Sequence, residues 1–166
     1  MKKLFVLLAL TAVFASCKKD KNDNQTGVSV EEQARIDDQL LQTYFTDKGL
    51  SPAKDETTGL YYQIVTPGTG KTPTANSVVE VRYVGTFLDG TVFDRTTNSN
   101  FSAALNSLIK AWQIGIPKIK EGGRINLYVP SGLGYGPNGA YNRNGQQVIP
   151  SNANILFTVD LVKVSQ

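Results

Sequence analysis

The residues with the most chemical promise crowd into one stretch, Pro130-Ser-Gly-Leu-Gly-Tyr-Gly-Pro-Asn-Gly139, which is as dense in glycine as a phosphate-binding loop. A phosphate loop needs a strand before it, a helix N-terminus after it, and glycines where backbone N–H groups converge on the anion. Only the preceding strand is expected here. Pro137 takes the third glycine position of G-x-G-x-x-G, a polar run continues to Gln147, and no G-K-[ST] follows. The glycines read instead as turn and bulge positions that let a loop fold closely around Tyr135.

Other chemistries are limited by what the chain lacks. It has no histidine, so Ser-His-Asp triads, Cys-His pairs and His-ligated metal sites are excluded. The lone cysteine, Cys17, has no thiol partner for a disulfide or redox pair. Its surroundings point elsewhere. Lys2 and Lys3 precede an apolar run from Leu4 to Phe14, then Ala15-Ser16-Cys17 and an abrupt polar switch, the three-part layout of an export signal. The run is too short to span a bilayer. "VFASC" resembles a bacterial lipobox, which implies cleavage before Cys17 and lipid attachment to it, although Phe14 stands where a Leu-like residue is usual. The alternative is an ordinary secretory signal in which Cys17 is incidental. The expected location is the bacterial cell envelope, on the outer membrane by a lipid anchor.

The formal charge is +3, and losing Lys2 and Lys3 with the signal takes two from it and leaves +1 on the side chains. No nucleic-acid footprint remains. Lys18, Lys19 and Lys21 alternate with Asp20 and Asp23, as in a solvated tether. The expected organisation is therefore a signal over 1–16, a tether over 17–28, a helix and connector over 29–58, and a domain over 59–166.

The elements that must hold Tyr135 follow from periodicity. Ser29 and Glu32 match a capping box, and Ile36, Leu40, Leu41 and Tyr44 recur at helical spacing until Gly49 and Pro52. Beyond Gly59 the period becomes two, in "LYYQIV", "VVEVRYVGTF", "RINLYV" and "ILFTVDLVKV", which predicts four strands in a sheet with one buried face. Between them, Leu105, Leu108, Ile109 and Trp112 are spaced i, i+3, i+4 and i+7, which predicts one helix ending at Gly115 and Pro117. One helix covering one antiparallel sheet is a small α+β domain.

Three segments, "VRYVGTFLDGTVFD", "LIKAWQIGIPKIKEGGRINLYVPSGLGYG" and "VIPSNANILFTVDLVKV", resemble in order and spacing the successive signatures of the FKBP-type peptidyl-prolyl isomerases. The resemblance covers residues 59–166. It implies a twisted antiparallel sheet wrapped around one short helix, with an apolar pocket that receives the proline of an Xaa-Pro bond. By this resemblance Tyr83, Asp94, Tyr135 and Phe157 are the catalytic residues, and Phe93, Phe101, Leu108, Ile109, Trp112, Val148 and Ile149 bind substrate. Trp112 would be the pocket floor, while the Ile109 backbone N–H and the Tyr135 hydroxyl would meet substrate carbonyls. It also implies no cofactor, Xaa-Pro segments of exported proteins as substrates, and the family's macrolide inhibitors as ligands.

Two departures bear on the site. The family commonly places an arginine in the loop after the aspartate, and here "RTTNSN" offers only the adjacent Arg95. Residues 138–147, "NGAYNRNGQQ", lengthen the loop between Tyr135 and Ile149. They either narrow the choice of substrate or form a solvated excursion.

Overall fold

The computed structural model describes residues 27–165; the expected export signal, Cys17 and the tether up to residue 26 lie outside the described residues. Among the described residues, helix α1 (Val30–Lys48) is followed by β1 (Ala53–Lys54), β2 (Tyr61–Thr66), β3 (Val78–Phe87), β4 (Val92–Arg95) and β5 (Phe101–Ala104). Then come α2 (Lys110–Gly115), β6 (Arg124–Val129), β7 (Ala140–Tyr141), β8 (Gln147–Ile149) and β9 (Ile155–Ser165). Every pairing is antiparallel. The main sheet runs β1-β2-β6-β9-β3-β4 with β5 also on β3, and β7 and β8 form a separate hairpin.

All four expected strands are present, and β1 extends their sheet with residues from the expected connector. In β9, Ile155, Phe157, Val159 and Leu161 are buried at every second position, as the alternation requires. Strict alternation would then turn Val164 outward. A bulge prevents this: Glu80 pairs with Lys163 and Val81 with Leu161, so Val162 is skipped and Val164 returns to the core.

The expected helix around Trp112 is shorter than its spacing suggests. Leu105–Ser107 form a 3-10 turn, Leu108 and Ile109 are extended, and α2 begins only at Lys110. The Gln113 side chain donates to the Leu108 and Asn106 carbonyls, at 2.6 and 3.2 Å, and so satisfies acceptors freed by the break. Leu108 and Ile109 are thereby left at the mouth of α2. The concave side of the sheet closes over Trp112 and Ile116 with Ile125, Leu127, Phe157 and Val159.

The expectation of a single buried sheet face needs correction. Tyr61 and Tyr128 are buried with Leu41 and Phe45 of α1 in a second core, flanked by Tyr44, Leu50, Leu88 and Leu156. The helix is capped as its sequence implies: the Ser29 hydroxyl accepts from the Glu32 N–H, and Gly49 closes the end at φ 63°. Its buried stripe differs, however, from the one its apolar residues suggest. Asp37, Leu41 and Phe45 are buried, whereas Leu40 is 49% exposed.

Candidate active site

A cavity of about 210 Å³ opens between α2 and the concave face of the sheet, lined by Tyr83, Asp94, Phe101, Leu108, Ile109, Trp112, Tyr135 and Phe157. Seven parts of the chain converge on it. β3 contributes Tyr83, β4 and β5 contribute Asp94 and Phe101, and β9 contributes Phe157. The broken approach to α2 presents Leu108 and Ile109, α2 supplies Trp112, and the glycine-rich loop supplies Tyr135.

The aromatic rings meet edge to face. Trp112 lies 5.1 Å from Tyr83 and 5.2 Å from Phe157, with interplanar angles of 80° and 87°. Phe101 closes on Tyr83 at 5.9 Å. Such pairs add about 0.5–1.5 kcal/mol each beyond area burial and hold the rings at fixed angles. The result is a rigid apolar wall.

One polar edge interrupts it. The Tyr83 hydroxyl donates to Asp94 Oδ2 at 2.6 Å, and the Arg95 backbone N–H donates to Asp94 Oδ1 at 2.8 Å. Thr96 braces Tyr83 from behind: its Oγ1 accepts from the Tyr83 N–H at 3.0 Å, and its own N–H donates to the Tyr83 carbonyl at 3.0 Å. Asp94 forms no ion pair with a lysine or arginine among the described residues. Burial, and then the hydrogen bond to Asp94, push the Tyr83 hydroxyl well above the usual phenol range. Burial first, and the Asp94 charge second, also push Tyr135 upward. Both hydroxyls therefore stay protonated at neutral pH.

Three donors at the cavity are unspent. The Tyr135 hydroxyl and the Ile109 backbone N–H have no protein acceptor among the described residues. The Trp112 Nε1–H is buried without a partner. Buried donors are normally satisfied, so this concentration suits a site that receives an acceptor from outside.

Three of the residues expected here are not in the lining. Phe93 packs behind it, 5.6 Å from Phe157 and 5.1 Å from Phe87. Ile149 is buried in the main core, and Val148 is 42% exposed on the β7–β8 hairpin. That hairpin is the form taken by most of the long loop, with Ala140 opposite Ile149 and Tyr141 opposite Gln147.

Sequence reasoning overlooked Gly85. It lies across from Asp94 on β4 and from Phe157 on β9. A Cβ there would fall 2.6 Å from the Phe93 ring and 2.9 Å from the Phe157 ring, so only glycine lets both aromatics close over β3. A glycine inside the strand pattern "VRYVGTF" was the available signal.

Comparison with known proteins agrees with this geometry. A family model described as FKBP-type peptidyl-prolyl cis-trans isomerase matches residues 69–162. The chain is 39% identical over 113 residues to the probable FKBP-type peptidyl-prolyl cis-trans isomerase FkpA of Neisseria meningitidis serogroup B, covering 67% of this chain and 40% of that protein. It is 34% identical over 153 residues to the FKBP-type peptidyl-prolyl cis-trans isomerase FkpA of Escherichia coli K12, covering 90% of this chain and 50% of that one. The chain thus spans half the length, or less, of these two relatives. The crystal structure of a peptidyl-prolyl cis-trans isomerase from Pseudomonas syringae pathovar tomato superposes with a TM-score of 0.65 at 30% identity, over 86% of this chain and all of that one. With its sheet, short helix and aromatic cavity all in place and the family model spanning more than half its length, the chain belongs to the FKBP-type peptidyl-prolyl cis-trans isomerase family.

Proposed function

We propose that the protein is a peptidyl-prolyl cis-trans isomerase acting on Xaa-Pro bonds of exported proteins in the bacterial envelope. The observation that carries this is the aromatic cavity with unspent donors at its rim. Rotation about an Xaa-Pro bond meets a barrier of ~18–20 kcal/mol because the twisted amide loses the resonance of the planar one. No covalent bond breaks, so the reaction needs no nucleophile, metal or cofactor.

The planar amide is the more charge-separated form. Replacing water around it with Tyr83, Trp112 and Phe157 disfavours the ground state more than the twisted transition state, which is differential binding. The proline ring enters over Trp112. The Ile109 N–H and the Tyr135 hydroxyl then hold flanking carbonyls in a turn, and Asp94 fixes Tyr83 at the wall. A five-decade acceleration requires about 7 kcal/mol from these contributions together. Phe93 supports Phe157 from behind, Phe101 closes the side of the cavity, Val148 contacts the peptide beyond the proline, and Ile149 anchors that hairpin in the core. The family's macrolide inhibitors would occupy the same cavity.

The segment before Gly27 supports the location. Its signal-like run and the lipobox resemblance at Cys17 fit export followed by lipid anchoring, with residues 17–28 as the tether. Metabolic labelling with a palmitate analogue checks this, with Cys17→Ser as the unlabelled control.

The activity is tested by following cis/trans relaxation of an Xaa-Pro peptide with the protein and with folded Tyr135→Phe and Phe157→Ala variants. Saturable acceleration that falls at least tenfold in Phe157→Ala is expected. A folded protein that binds the peptide yet leaves the uncatalysed rate unchanged would make it a peptide-binding module and overturn the isomerase reading.

A further inference from the structure

Residue Asp37 of α1 is 1% exposed and, among the described residues, has no lysine or arginine partner. Hydrogen bonds alone compensate its carboxylate. Oδ2 accepts from the Ser131 N–H at 2.8 Å and from the Ser131 hydroxyl at 2.6 Å, and Oδ1 accepts from Gln33 Nε2 at 2.8 Å. The Asp37 backbone carbonyl accepts from Asn154 Nδ2 at 3.1 Å, and Asn154 Oδ1 shares the Ser131 N–H at 3.2 Å. One helix residue is thus tied to two segments, 94 and 117 positions away.

Ser131 begins the glycine-rich loop that carries Tyr135. It opens the 3-10 turn Ser131–Leu133, Gly134 leaves that turn at φ −107° and ψ −111°, and Tyr135 follows directly. The far side is pinned separately, where the Asn152 N–H donates to the Gly136 carbonyl at 2.8 Å. Tyr135 therefore sits between two anchors, and the first is held from outside the sheet by α1.

Close packing does not set this anchor. Beside it, α1 and the loop are separated by a groove of about 320 Å³ that includes Val30, Ala34, Leu133 and Pro137. At this end of the helix the hydrogen bonds therefore bridge the two segments, while Leu41 and Phe45 pack the rest of α1 on the sheet. A buried carboxylate is also an expensive way to join two elements if stability is all that is needed, since a well-packed apolar contact does as well or better. What it adds is directional control over one backbone N–H.

We propose that Asp37 is a positioning residue for Tyr135, so that α1 is a working part of the isomerase site. This rests on the isomerase reading of the cavity. Without Asp37, the turn at Ser131 loses its anchor and the Tyr135 hydroxyl drifts from the substrate carbonyl, where misplacement near 1 Å can cost as much as about 100-fold.

The test is a set of double-mutant cycles on the full chain. Asp37→Ala and Ser131→Ala are each combined with Tyr135→Phe, and separately with Phe101→Leu on the β5 side of the cavity. The readouts are kcat/KM and the affinity for an Xaa-Pro peptide, the latter from the fluorescence of Trp112, the chain's single tryptophan. Folded Asp37→Ala is expected to lose about tenfold in kcat/KM. Most of that loss should vanish in the Tyr135→Phe background and persist in full with Phe101→Leu. Losses that multiply equally in both backgrounds, or wild-type kinetics in folded Asp37→Ala, overturn the proposal. If Asp37→Ala does not fold, Ser131→Ala, which deletes a single donor, decides by the same criteria. A wild-type chain that binds the peptide without accelerating its isomerisation defeats the isomerase reading, and the affinity cycle then decides the role of Asp37. If it does neither, amide exchange across Leu133–Gly136 decides: faster exchange in Asp37→Ala supports the anchor, and unchanged exchange overturns it.

Discussion

Gly85 shows how much of the cavity depends on an atom that is missing. Its two strand neighbours bring Asp94 and Phe157 to either side, and the Phe93 ring lies where a methyl group would stand. Gly85→Ala should force Phe93 or Phe157 off its rotamer, at about 1–3 kcal/mol. Its urea midpoint should fall, and the Trp112 emission should shift because Phe157 packs against that ring. Unaltered stability and emission would mean that the aromatic wall can give way, against the rigid geometry described above. At this scale the sequence was informative where the family signatures lie. All eight lining residues carry site roles that the resemblance implies, while Gly85 showed only as a glycine inside a strand pattern and Asp37 was invisible because its partners lie 94 and 117 positions along the chain.

Helix α1 is held at two points, and one of them is sensitive to pH. Beyond Asp37, Asp38 accepts from Lys54 Nζ at 2.7 Å and from the Tyr61 hydroxyl at 2.7 Å, joining α1 to β1 and β2. Burial by itself would raise Asp38, but the hydrogen bonds from Lys54 and Tyr61 outweigh it and hold the carboxyl below its ordinary value. A depressed folded pKa gives stability that is present above the unfolded value, near ~4, and that is lost as pH falls through the folded one. Lys54→Met should therefore lower the unfolding free energy at neutral pH by no more than about 1 kcal/mol for a part-exposed pair, read as a lower urea midpoint. The gap to wild type should narrow once Asp38 is protonated at low pH. An equal gap at pH 7 and in acid would show that Lys54 acts through its ammonium over the Tyr61 ring, 5.0 Å away, and not through its pairing with Asp38.

The same scale explains which elements could be read in advance. β2, β3, β6 and β9 are long enough to show a period, whereas β1, β4, β5, β7 and β8 have two to four residues each and show none. The α1 stripe was misjudged for a related reason. Apolar residue types placed it on Ile36, Leu40, Leu41 and Tyr44; Leu41 is buried, but the stripe turns toward Asp37 and Phe45, where Asp37 meets the donors of Ser131 and Phe45 packs on Tyr61 and Tyr128.

For the molecule as a whole, the sheet lies between two cores, one around Trp112 and one around Phe45. They share strands: Leu127 and Phe157 face the first, and Tyr128 and Leu156 face the second. Unfolding of one should therefore be felt in the other. Phe45→Ala should cost about 3–5 kcal/mol, and the midpoint reported by Trp112 fluorescence should fall with it, although Trp112 lies across the sheet. A Trp112 transition that stays put would show that α1 is an independent appendage. Local patterning determined the long strands, the caps of α1 and the order of the family signatures, because period-two alternation and capping chemistry act over a few neighbouring residues. Only the tertiary structure decided that α1 covers one end of the sheet's second face, that the helix before Trp112 is broken, and that Asp37 meets Ser131. Those outcomes depend on burial and donor geometry between segments far apart in the chain, which no local pattern encodes.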